Sequence, residues 1–100
     1  MALTITTPFI TADGFEVANA YGRVAVVDAF TGTMLEEYAS IYVTEAAYLA
    51  GANALQVAFT TKLTSEYDRN LESTDILDLA HDHLITAMAA EGITATKNLS

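Results

Sequence analysis

"YGRVAVVDAFTGTMLEEYASIYV", residues 21–43, decides the fold. Two β-type runs flank Thr31-Gly32-Thr33, and a glycine in a short polar break between such runs marks a hairpin. Side chains alternate along a strand, so on the first run Tyr21, Arg23, Ala25 and Val27 share one face. Gly22, Val24, Val26 and Asp28 share the other. On the return run, residues 34–43, Leu35, Ala39, Ile41 and Val43 line a face that Glu37 interrupts. Met34, Glu36, Tyr38, Ser40 and Tyr42 line the opposite face. Neither face of the hairpin is purely polar, so both are expected to be partly covered.

Outward from the hairpin, "TEAAYLAG" (44–51) opens on a capping Thr44 and closes on Gly51, which predicts one or two helical turns. "ALQVAFTTKL" (54–63) alternates: Leu55, Val57, Phe59, Thr61 and Leu63 against Gln56, Ala58, Thr60 and Lys62. That is the pattern of a half-buried strand. "TSEYDRNLES" (64–73) is expected to be a polar loop. A helix follows, capped by Ser73 or Thr74, with Asp75 at its positive end and Gly92 as its stop. Its apolar positions Ile76, Leu77, Ala80, Leu84, Ala87 and Met88 recur at three- and four-residue intervals.

On the N-terminal side, Asp13-Gly14 is a turn signal. The threonine-rich residues 1–12 contain the single proline, Pro8, which cannot donate to a central ladder. They are expected to form an extended arm or an edge strand. Residues 93–100 are expected to be a short strand or a loose tail. The expectation is one α+β domain over 13–92: a small, mostly antiparallel sheet of three to four strands with a long central hairpin, packed against one C-terminal helix. Its expected core is Val24, Val26, Leu35, Ile41, Val43, Leu55, Val57, Phe59, Ile76, Leu77, Leu84 and Met88.

Composition narrows the function. Of 100 residues, 52% are hydrophobic and 17% charged. A domain this small buries roughly two-thirds of its unfolded surface, so part of the apolar excess is expected in a subunit interface. Thirteen acidic residues against four basic ones give a net charge of −9 and no basic cluster. That balance repels phosphate backbones and anionic membranes. The chain has no cysteine, which removes disulfides, thiolate metal sites and thiol chemistry. "MALTITTPFI" lacks the basic and apolar regions of a signal peptide.

Few residues carry candidate chemistry. "HDH" (81–83) has metal-ligand character, but on a helix His81 and His83 lie about 200° apart and cannot share an ion. Asp78 and Asp82, one turn apart with His81 nearby, are the candidate metal ligands; a solvated polar helix face is the plainer account of them. Glu36 and Glu37 point to opposite faces of a strand and cannot form a carboxylate pair. Glu66, Asp68 and Glu72 lack the spacing of a twelve-residue calcium loop. "ADG" and "TGT" lack the glycines and lysine of a phosphate loop, and there is no G-x-S-x-G. The expectation is a non-enzymatic protein without a cofactor. Five tyrosines, Tyr21, Tyr38, Tyr42, Tyr48 and Tyr67, supply contact area with a polar end. Tyr38, Tyr42 and Tyr48, with the small Ala46, Ala47 and Ala50, are the candidate interface.

Three segments also resemble a group of small tail and baseplate virion proteins of tailed bacteriophages. "ANAYGRV" (18–24) is similar to their first strand, and "IYVTEAAYLAG" (41–51) to the segment after their hairpin. "LAHDHL" (79–84) stands at their C-terminal helix, with "AHDHL" where those proteins carry an aromatic. The likeness covers most of residues 13–88. It implies a structural subunit of a virion, assembled in the host bacterial cytoplasm as a homo-oligomer in contact with other virion proteins. The alternatives are a head-decorating or head–tail joining protein, and a cellular oligomeric module that grips peptides.

Overall fold

The computed structural model describes residues 2–29, 34–66 and 76–98, apart from the side chains of residues 28 and 29. The turn at Thr31-Gly32-Thr33, the caps Ser73 and Thr74, and Asp75, Tyr67, Asp68 and Glu72 lie outside these residues.

The long hairpin forms as expected from its alternation. β4 (Ala20–Ala29) pairs antiparallel with β5 (Met34–Tyr42), from Tyr21 opposite Tyr42 to Ala29 opposite Met34. It sits inside a larger sheet than expected: five strands in the order β6-β5-β4-β1-β7, every neighbouring pair antiparallel. The additional strands are β1 (Ala2–Ile5) and β7 (Ala95–Asn98). A separate two-stranded ribbon joins β2 (Phe9–Ile10) and β3 (Glu16–Val17).

Residues 2–5, expected in an arm or edge strand, lie between β4 and β7. Ala2, Leu3 and Ile5 are wholly buried. Pro8 falls after this strand, so its missing N–H takes nothing from the ladder, and Thr6 still donates to Thr94. Four residues are too few to show a period, and their partners are remote: Leu3 lies opposite Gly22 on one side and Lys97 on the other.

The second difference is on the other flank. The strand expected over 54–63 is displaced: β6 is Lys62–Glu66, paired with Met34–Tyr38. Before it the chain leaves the sheet. Ala39 donates its N–H to Thr61 and Ile41 accepts from Leu55, so one residue of β5, Ser40, opposes five of the incoming chain. The surplus bulges outward as residues 56–60. Leu55, Val57 and Phe59 still pack against the core, and Phe59 meets Phe9 edge to face at 5.1 Å. The alternation in the sequence records that packing and not a ladder.

One layer of helix covers one face of the sheet. α2 (Ile76–Ala90) buries Ala80, His81, Leu84 and Met88. Of these, Leu84 and Met88 join Leu3, Ile5, Ala20, Ile41 and Ala95, with Phe9 and Val17 of the ribbon closing the cluster. Gly92, at φ +81°, ends the helix. Its N–H bonds Ala89, that of Ile93 bonds Met88, and Ile93 folds onto the core, which is the glycine-closed helix end. Of the expected core, Leu35, Ile41, Leu84 and Met88 are buried, but Val43 and Leu77 are exposed at 47% and 38%. Val43 lies beyond the end of β5 and Leu77 in the first turn of α2. The burial they lack is supplied by β1 and the ribbon.

Candidate functional site

The second face of the sheet is where the candidate interface lies. Register puts Tyr21, Arg23, Ala25 and Val27 of β4 beside Tyr42, Ser40, Tyr38 and Glu36 of β5. Lys62, Thr64 and Glu66 of β6 extend the row. α1 (Glu45–Leu49) stands over one end of this face. Thr44 caps it by accepting from the Ala47 N–H at 3.0 Å, and Gly51, at φ +84°, closes it. Five residues do not make a stable helix alone; a side chain anchors this one. The Tyr48 ring lies 5.0 Å from that of Tyr42 and 5.7 Å from that of Tyr21, and Arg23 sits 5.1 Å from its centre. Arg23 also donates to the Tyr21 hydroxyl, and that hydrogen bond holds its guanidinium above its usual range.

Beyond α1 the face is bare. Val27 is 49% exposed, and Ala25, Lys62, Thr64 and Glu66 are exposed beside it. Tyr38 is half-buried. Its hydroxyl donates to Glu36 Oε2 at 2.7 Å, and that bond, with burial and the carboxylate charge adding to it, lifts the phenol above its ordinary value. Lys62 lies over its ring at 5.4 Å. α1 buries none of its own residues, and Leu49 on it is 72% exposed. Ala46 and Ala50 are exposed and Ala47 is half-buried.

The structure thus splits the six expected interface residues. Tyr42 and Tyr48 pack on each other, Ala46, Ala47 and Ala50 lie on or just beyond the helix they anchor, and Tyr38 belongs to the uncovered part. Val27, Lys62 and Glu66 complete the uncovered surface. The alternation of β4 shows Val27 in the sequence, but the displaced start of β6 hides Glu66.

The covered face holds a polar cluster. Glu37, fully buried, accepts from Ser65 Oγ and from His83 Nδ1 at 2.7 Å. Ser65 and Glu37 both meet the same imidazole nitrogen, the former at 3.2 Å. A nucleophile relay needs serine and carboxylate on opposite nitrogens of the ring. This arrangement therefore ties α2 to the sheet and does not activate Ser65. The sequence signal for it is Glu37 itself, the acid that interrupts an apolar strand face.

The candidate metal ligands are placed apart. Asp78 and Asp82 share a helix face and together hold Lys97 Nζ, at 2.6 and 2.8 Å. Their two hydrogen bonds raise the Lys97 ammonium above its usual range. His81 turns inward, fully buried, with Nδ1 donating to the Leu77 carbonyl at 2.6 Å. Among the described residues no three metal-binding side chains converge, and no helix is long and apolar enough to cross a membrane. Comparison with protein-family models, with curated proteins and with solved structures finds no match.

Proposed function

We propose that this chain is a non-enzymatic structural subunit that works by symmetric protein–protein assembly. The observation that supports this most is the one-sided fold: a five-stranded sheet with a helix layer on one face and only a five-residue helix on the other. Antiparallel sheets tolerate a wet second face when that face is polar. Here the part beyond α1 carries Val27, Ala25 and Tyr38, with Met34 in the same row of β5. Aromatic and apolar side chains interleaved with a few charges are the composition of an interface core and rim.

The resemblance of residues 18–24, 41–51 and 79–84 to tail and baseplate proteins supplies the setting: a tailed-bacteriophage virion, with other virion proteins as further neighbours. A head-decorating or head–tail joining role uses the same surface, and copy number per particle separates the two. The experiment is mass in solution over a concentration series, for the parent and for a Val27→Glu, Tyr38→Asp variant. The parent is expected to gain mass in steps of one subunit mass, and the variant to stay folded at 10.7 kDa. A parent that remains at that mass throughout counts against the reading.

A further inference from the structure

We infer that the β6 edge of the sheet pairs with the same edge of a second copy, antiparallel and centred on Thr64, so that two five-stranded sheets run on as one. The inference rests on the assembly reading and adds a second contact to it, with a register.

The backbone decides where such a pairing forms. Ala39 donates to the Thr61 carbonyl. Backbone groups alternate in direction along a strand, so Thr61, Leu63 and Ser65 turn theirs toward β5. Those of Lys62, Thr64 and Glu66 point away from the sheet, and among the described residues no strand meets them. An edge of this kind is a template for another strand. A two-fold axis normal to the sheet beside Thr64 brings these three residues against the same three of the second copy. Thr64 then faces its own counterpart, and Lys62 faces Glu66 of the second copy. Each facing pair exchanges two N–H···O bonds.

The side chains suit this register. Lys62, Thr64 and Glu66 are all exposed. Residues directly opposite in an antiparallel pair share a face, and both threonine pairs and opposite charges stabilise there. A lone lysine guards an edge against pairing; here the register sets a carboxylate opposite it. The contact adds one basic and one acidic side chain from each copy, so it escapes the repulsion that a net charge of −9 imposes elsewhere. Glu36, level with Thr64 on β5, is held three strand spacings, about 14 Å, from the Glu36 of the second copy. The opposite edge lacks such a match. By the same alternation Ala95 and Lys97 are the outward residues of β7, and Lys97 is held by Asp78 and Asp82.

This axis turns both bare faces to one side and both α2 layers to the other. The open face is thereby continued from one copy into the next. The edge contact is one strand wide, well below the roughly 600 Å² per partner at the lower end of specific interfaces. It therefore persists only where the face contact also forms, and the Val27→Glu, Tyr38→Asp variant is left as a single copy.

Thr64→Pro tests the backbone, because it removes an outward N–H and no bond to β5. It is expected to stay folded by circular dichroism and to lower the association constant about tenfold or more in sedimentation velocity. Lys62→Glu and Glu66→Lys are each expected to lower it about tenfold, since each sets like charges opposite one another twice. The double exchange K62E/E66K is expected to restore it. Should Thr64→Pro lose its fold, the charge exchange decides. Association indifferent to the β6 substitutions but lost in Val27→Glu, Tyr38→Asp overturns the edge pairing and leaves the assembly reading standing. Association that survives Val27→Glu, Tyr38→Asp and falls in the β6 variants upholds the edge and overturns the covered face. A parent that stays a single copy throughout overturns both.

Discussion

His83 Nδ1 donates to Glu37 Oε1 across 2.7 Å, from a half-exposed imidazole to a carboxylate that solvent does not reach. The pair joins α2 to β5 on one flank, as Lys97 of β7 does on the other through Asp78 and Asp82. The helix is thus held on both flanks by polar contacts, with Leu84 and Met88 between them. Glu37 is fully buried and His83 reaches solvent, so losing the imidazole strands a buried acceptor, whereas losing the acid leaves an imidazole that water can satisfy. His83→Ala is expected to lower stability by about 1–3 kcal/mol, and Glu37→Met to cost less, about 1 kcal/mol. Urea unfolding of both variants measures the difference.

The Lys97 clamp and the Glu91 contact set opposite limbs of the pH profile. Lys97 is raised, so its contribution is complete below the ordinary lysine range and fades as pH climbs through its elevated folded value. Glu91 is lowered, first by the Thr60 hydroxyl at 2.5 Å and then by the Thr60 N–H at 2.7 Å. Its contribution is complete above the ordinary carboxylate range and fades as pH falls through its depressed folded value. Thermal midpoints across pH should show Glu91→Gln flattening the acid limb only, and Lys97→Met the alkaline limb only.

Gly22 stands where three strands meet, opposite Leu3 on one side and Ile41 on the other. A Cβ there would lie 3.2 Å from Leu3 Cβ and 3.3 Å from Ile41 Cδ1. Both neighbours are fully buried, so neither has room to yield. Gly22→Val is expected to cost about 1–3 kcal/mol through overpacking, read as a fall in the urea midpoint at unchanged slope.

α1 depends on its cap. Thr44→Ala removes the acceptor for the Ala47 N–H and is expected to cost about 1 kcal/mol. Tyr48 would then lose its hold on Tyr21 and Tyr42, and near-ultraviolet circular dichroism should fall before global unfolding begins.

These residues show what the sequence makes legible. The hairpin faces were readable because ten- and nine-residue strands give the alternation room to repeat. The helix was readable from Ile76 to Gly92 for the same reason. β1 was not, because its identity lies in pairing with Gly22 and Lys97, far along the chain. The start of β6 was hidden because residues 56–60 alternate while outside the sheet. At the candidate site, Tyr38 and Glu36 followed from strand parity. The partition of Tyr42 and Tyr48 into a self-packed pair did not, since parity says nothing of how α1 folds back. A substitution at Tyr42 therefore disturbs α1 as well as the open face, and Val27 and Tyr38 are the cleaner positions to change.

On the proposed reading, the open face of the sheet is covered on assembly. Hydroxyl-radical footprinting across a concentration series addresses it directly. Oxidation of Met34 and Tyr38 is expected to fall as concentration rises, while Ile10 of the ribbon and Phe15 in its turn stay equally reactive. Unchanged oxidation of Met34 and Tyr38, at concentrations where mass shows association, would contradict the account.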